Sequence, residues 1–209
     1  MKKQILMAMA IAMTSCSVAQ EATVALPAPD KTLSMTLMEA LQQRHSTWKH
    51  TDKPVSDAEL STVLWAASGI NRPDEGRITA PSAVNAQDIQ VYVMRQDGTY
   101  LYNVQKHQLD KVSDKDLRVA VCGRDPQPKP APIMLLLVSD LNKFGGDSDF
   151  ARAMAPLDAG YVSENICLAC TALGLNTVPR MTMNQRVLKE ALGLSDIQLP
   201  LLNHPVSKP

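Results

Sequence analysis

Three neighbouring side chains near the start of the chain are well equipped to hold an anion. They are Arg44-His45-Ser46. Arginine offers a planar fork of donors matched to a phosphate dianion. Ser46 adds a hydroxyl and His45 a ring nitrogen. The same triplet also has a purely structural reading, because a cation in the last turn of a helix complements its dipole and a serine can open the following loop. A second cluster is Thr79-Ala80-Pro81-Ser82-Ala83-Val84-Asn85-Ala86-Gln87. Pro81-Ser82 reads as the start of a short helix, with a serine cap beside orphan N–H groups. Asn85 and Gln87 supply amide donors and acceptors of the kind a hydroxylated or ring-carbonyl ligand needs. Taken alone, this cluster also reads as a capped surface turn.

Recognisable elements surround both clusters. Thr36-x-x-Glu39 is a capping box that predicts a helix running up to Arg44, with Leu37 and Leu41 one turn apart and facing the core. Ser56-x-x-Glu59 starts a second helix, whose apolar stripe is Leu60, Val63, Leu64 and Ala67 and which ends at Gly69. Residues 89–94 alternate as a strand, and Asp97-Gly98 turns the chain into Tyr100-Leu101-Tyr102 as a hairpin. Residues 132–138 are continuously apolar, as in a central strand buried on both faces. Residues 153–173 read as a long helix, apolar nearly all round, rich in small residues and buried. Asn184 opens a last helix with Val187, Leu188, Ala191 and Leu192 on one face, closed by Gly193, and residues 199–202 form a short final strand. Helices mixed with an antiparallel hairpin make the class α+β.

The chain has 209 residues, 45% of them apolar, enough for one domain with a substantial core. Lys plus Arg equals Asp plus Glu at 21 each, which argues against a nucleic-acid partner. Lys2 and Lys3, an apolar run over 5–13 and small residues after it have the layout of a secretory signal peptide. Cleavage after Ala19 is the favoured reading, giving a signal over 1–19; lipidation of Cys16 is the other route. Export to the periplasm is the expectation, as a free or lipid-anchored protein with no membrane span. Removing 1–19 takes away two lysines, leaving 19 bases against 21 acids and a net charge of −2. Residues 20–33, with Pro27 and Pro29, read as a linker, and 34–209 as the folded domain. Cys122, Cys167 and Cys170 then remain, an odd number that reads as buried packing thiols. No second cysteine pair joins Cys167-x-x-Cys170, and His50, His107 and His204 are scattered, so no metal site is expected. No nucleophile triad stands out either.

Arg44-His45-Ser46 after a first helix, followed by Pro81-Ser82-x-x-Asn85-x-Gln87 before a strand, resembles the FMN-dependent nitroreductase family. Asp158-Ala-Gly160-Tyr-Val-Ser-Glu-Asn165 is similar to the start of that family's long central helix, and Gly174-Leu-Asn-Thr-Val178-Pro179 to the turn after it. The resemblance covers 36–209. Gly69-Ile-Asn-Arg72 and Arg77-Ile-Thr-Ala-Pro-Ser82 are most similar to an exported bacterial branch.

The resemblance implies a mixed, mainly antiparallel sheet flanked by helices in three layers, in an intertwined homodimer with FMN at the interface. It implies that Arg44, His45 and Ser46 hold the phosphate and ribityl end from one subunit. Pro81, Ser82, Ala83 and Asn85, with Gln87 nearby, would come from the other. Val178, Pro179 and Arg180 would lie against the flavin ring, and Lys208 would add a second cation at the phosphate. Trp48 stands where many relatives carry a basic residue and offers a ring for stacking. Met181 and Thr182 stand where many carry a glycine. The implied activity is ping-pong transfer of a hydride from a small-molecule donor, through FMN, to a nitro-aromatic or quinone-like acceptor. The alternative is an exported module that binds a flavin or another planar ligand without turnover.

Overall fold

The computed structural model describes residues 23–124 and 131–209. The signal-peptide reading and Cys16 therefore lie outside the described residues. Seven strands form one sheet: β1 (Thr23–Ala25), β4 (Ile89–Arg95), β5 (Gly98–Asn103), β6 (Gln108–Ser113), β7 (Ile133–Asp140), β8 (Asn176–Thr177) and β9 (Gln198–Ser207). Their order is β1-β6-β5-β4-β7-β9-β8, and every pairing is antiparallel. A separate two-stranded ribbon joins β2 (Ile70–Arg72) to β3 (Arg77–Ile78).

The period-2 geometry of a strand explains why β7 is apolar without interruption. Ile133, Leu135 and Leu137 enter one core with Leu60, Leu64, Val162 and Ile166. Met134, Leu136 and Val138 enter a second core with Leu117, Val121 and Leu188. The first core is covered by α2 (Asp57–Ser68) and α4 (Asp149–Ala172), the second by α3 (Arg118–Cys122) and α5 (Gln185–Leu192). The sheet is thus sandwiched between helices in the expected α+β arrangement.

Both capping boxes form. Thr36 and Ser56 each accept the N–H of the glutamate three residues on, and each glutamate returns a bond to the cap N–H. Gly69 ends α2 with ordinary extended dihedrals, so its role is space rather than left-handed backbone. A Cβ there would lie 2.3 Å from Trp65 Cδ1. The long helix starts at residue 149, four residues earlier than the sequence suggested. Ser148 caps it by accepting the N–H of Ala151, and the helix continues through Pro156.

Three expectations need correction. The helix α1 (Leu37–Gln43) turns only Ala40 inward; Leu37 is 64% and Leu41 48% exposed. The long helix is not buried all round: Leu157, Gly160, Tyr161 and Glu164 face outward. The described part of the linker is not a free tether. Thr23, Val24 and Ala25 pair with Asp110, Leu109 and Gln108, adding an edge strand built from β-branched residues. Ser61 Oγ–H then donates to the Pro27 carbonyl at 2.5 Å, and Asp30 N–H donates to Thr62 Oγ1 at 2.9 Å.

Candidate functional site

Arg44 is the C-cap of α1, and its ψ of 125° sends the chain out of the helix into an extended segment. That segment is stitched to the far end of the sequence. Thr47 N–H donates to Thr177 O at 3.0 Å, and Asn176 Nδ2 donates to Lys49 O at 3.2 Å. His50 Nδ1 lies 3.3 Å from Ser207 Oγ, and Thr51 Oγ1–H donates to Lys208 O at 2.8 Å. Burial pushes the His50 pKa down to about 4, so this stitch is neutral. The segment between the stitches presents Arg44, His45, Ser46 and Trp48 at the surface. Arg44 keeps an open guanidinium edge, because its ion pair with Glu164 is long at 3.9 Å. His45 Nδ1–H donates to Gln43 O at 2.9 Å, which leaves Nε2 directed away from the backbone.

The same stitching brings 178–180 beside the triplet, but the three residues point differently. Val178 is buried, Pro179 is exposed, and Arg180 is buried. The Arg180 guanidinium turns inward, donating to Asn203 Oδ1 at 3.3 Å and to Cys122 O at 3.2 Å. Its backbone, paired with that of Asn203, is what faces the site. Met181 stands out at 77% exposure. The backbone of Lys208 lies next to Thr51, while its ammonium reaches Glu59 at 3.2 Å.

The second cluster sits elsewhere on α4. Residues 83–85 form one 3-10 turn, as the Pro81-Ser82 start suggested, yet Ser82 makes no side-chain cap to it. Ser82 Oγ instead accepts the N–H of Gln87 at 2.9 Å. Val84, Asn85 and Gln87 all have positive φ, at 47°, 56° and 49°. A β-branched residue in that region is a true outlier, and Val84 is 78% exposed, so packing does not compensate. Gln87 Nε2–H donates to Gly76 O at 2.9 Å and to Asn85 Oδ1 at 3.3 Å, tying the loop to the β2–β3 ribbon. A pocket of about 280 Å³ opens there, lined by Arg72, Arg77, Pro81, Ser82 and Asn85.

Ala83 contacts α4 at Asp158, and Arg44 contacts it at Glu164. Six helical residues separate the two contacts, about 9 Å along the axis and roughly 120° around it. Within one chain the two clusters therefore face different ways. Asp88 stands outside the sequence motifs, and Asp158 enters them only as the first residue of the central-helix motif; in the fold both lie beneath the second cluster. The available signal was an acid placed in an otherwise apolar or small-residue stretch.

The sequence profile of the Nitroreductase family matches residues 41–206. A nitroreductase of Methanocaldococcus jannaschii is 27% identical over 184 residues, covering 82% of this chain and 90% of its own. The crystal structure of a nitroreductase from Ralstonia eutropha is similar at a TM-score of 0.82 and 32% identity, covering 89% of each chain. An NADH dehydrogenase/NAD(P)H nitroreductase from Parabacteroides distasonis is similar at a TM-score of 0.60 and 18% identity, covering 82% of this chain and 86% of that one. At that identity the last likeness concerns the fold alone. An antiparallel sheet between helix layers, together with these likenesses, marks the class as an α+β oxidoreductase. The chain belongs to the Nitroreductase family.

Proposed function

We propose that the protein is an FMN-dependent oxidoreductase acting on small conjugated acceptors such as nitro-aromatics or quinones. The observation that carries this is Arg44, a partly exposed guanidinium with only a 3.9 Å ion pair, followed directly by the exposed His45 and Ser46. An open cation beside hydroxyl and ring donors fits a phosphate monoester. The positive-φ loop over 84–87 supports the same reading, since it exposes polar side chains and backbone at a conformational cost typical of ligand clamps. When bound, FMN would supply two-electron chemistry, accepting a hydride equivalent from a donor and delivering it to the acceptor in a ping-pong cycle.

The chain's own residues bind and orient. Arg44 and Ser46 hold the phosphate, and Asn85 and Gln87 meet the polar edge of the ring or its ribityl chain. Pro81, Ser82 and Ala83 supply close backbone, and the Val178–Arg180 backbone flanks the ring. Trp48 and Met181, both exposed, offer apolar surface to a planar acceptor. The half-sites diverge within one chain, so a homodimer pairing Arg44 of one copy with Asn85 of the other completes the site. Export after cleavage at Ala19 remains part of this reading, and the mass of the mature N-terminus checks it.

Purified protein should be yellow. Arg44→Ala should weaken FMN affinity by roughly 10- to 100-fold, the worth of a charged hydrogen bond of about 1.5–3 kcal/mol. Flavin fluorescence titration measures this, and a colourless protein that takes up no added FMN would remove the proposal. Anaerobic bleaching by NADH or NADPH, then recovery with a nitro-aromatic, is the expected turnover signature here.

A further inference from the structure

Two carboxylates under the 81–87 loop have no part in the flavin reading. Asp158, on α4, is almost fully buried and accepts the Ala83 N–H with both oxygens, at 3.1 and 3.0 Å. Asp88 follows the loop's last residue and is fully buried. Its Oδ2 accepts the Ser139 hydroxyl from β7, and its backbone carbonyl accepts the Asp140 N–H at 2.9 Å. Its Oδ1 meets no hydrogen-bond donor, while the Asp158 side chain lies within hydrogen-bonding reach. Among the described residues the groups acting on the Asp88 carboxyl are Ser139 from β7, Asp158 from α4 and the backbone N–H of Asp88 itself, with no cation.

Two ionised carboxylates set side by side away from water repel. One proton between them turns that repulsion into a short, charge-assisted O–H···O⁻ bond. We propose that Asp88 and Asp158 hold one proton in common, carried on Asp88 Oδ1 and donated to Asp158, and that this bond fastens the 81–87 loop to α4. Asp158 is then a positioning residue that acts through the Ala83 amide. Fastening is needed because three non-glycine residues of the loop are held at positive φ. Burial, and after it the neighbouring Asp158, raises the Asp88 pKa to about 6. The bond is therefore complete in mild acid and is lost as pH rises through that value. The consequence for FMN affinity rests on the proposed flavin role of this loop; the proton bond itself does not.

The test uses flavin-free protein labelled with ¹³C at the aspartate carboxyls. One aspartate signal should titrate well above the ordinary carboxylate range in the wild type. The high titration should vanish in Asp88→Asn and move to lower pH in Asp158→Asn, where burial alone still raises the Asp88 carboxyl. If every wild-type aspartate titrates in the ordinary range, the proposal is overturned. Asp158→Asn keeps an acceptor for Ala83 N–H and gains an amide donor for Asp88, so it should hold the loop without the proton. Hydrogen exchange at Ala83, corrected for its intrinsic pH dependence, should accelerate at least tenfold from pH 5 to pH 8 in the wild type. It should stay slow in Asp158→Asn, and the same acceleration in both proteins would contradict the idea. FMN affinity should follow the same pattern, weakening at least tenfold over that range only in the wild type. Titration and exchange as expected, with no FMN bound at any pH, would leave the proton bond standing and remove the flavin reading instead.

Discussion

His204 shows how far a side chain's chemistry depends on its neighbours. In the sequence it is one histidine in a proline-containing tail. In the fold it is fully buried between Ser163 Oγ, 2.9 Å from Nε2, and Thr177 Oγ1, 3.3 Å from Nδ1. Burial lowers its pKa to about 3, as it lowers that of His50 to about 4. The unfolded chain takes up these protons near the ordinary value of 6.5, whereas the folded chain resists them. Stability is thus intact above about pH 6.5 and falls as pH drops toward 4, by about 1.4 kcal/mol per pH unit for each histidine. Asp88 pulls the other way. Its raised pKa favours the folded state in acid, and that contribution is lost between about pH 4 and 6. Two histidines outweigh one carboxyl, so the melting temperature should fall from pH 6.5 to 4.5. His50→Gln should flatten that slope, and an unchanged slope would show that His50 is not the titrating group.

Secondary structure was legible where a local rule dominates. The two capping boxes, the Asp97-Gly98 hairpin and the unbroken apolar run of β7 each follow from spacing alone. β6 was not legible, because Leu109 is its only buried hydrophobic residue and its other side chains are polar or half-exposed. α3 is five residues long and has no side-chain cap. β9 was read too short because of its prolines. Pro200 falls at the bulge opposite Leu137 and Val138, and Pro205 lies between the Arg180–Asn203 bridge and the β8 pairing, where a missing N–H costs little. Gly69 is an element-level position where substitution meets a close neighbour. An added methyl would collide with the Trp65 indole and carbonyl one turn back in α2, displacing the ring that donates to Ile70 O. Gly69→Ala should destabilise the protein by about 1–3 kcal/mol in urea unfolding, the usual range for overpacking. A left-handed glycine would have lost stability through backbone strain instead, and the dihedrals here exclude that cause.

Across the whole molecule, the polar half-sites were readable as motifs, but their separation around α4 was not. Spacing along a chain says nothing about which face of a helix each loop reaches. The outward residues of α1 and α4 make the same point. Leu37, Met38, Leu41, Leu157 and Tyr161 are large, apolar and exposed on these two helices. If a second copy covers them, Leu41→Glu should shift sedimentation from dimer toward monomer and lower FMN affinity with it, because binding and assembly would be linked. A Leu41→Glu protein that remains a full dimer would place the interface elsewhere.

The stitches that hold residues 47–51 join positions 127 to 157 apart in sequence. Loops of that length close late, after the local hairpins and helices have formed. During synthesis the segment after Arg44 emerges well before its anchors at Thr177, Ser207 and Lys208. The Arg44–Trp48 segment therefore cannot take its final course until those anchors exist, and a chain cut short before residue 177 would lack it.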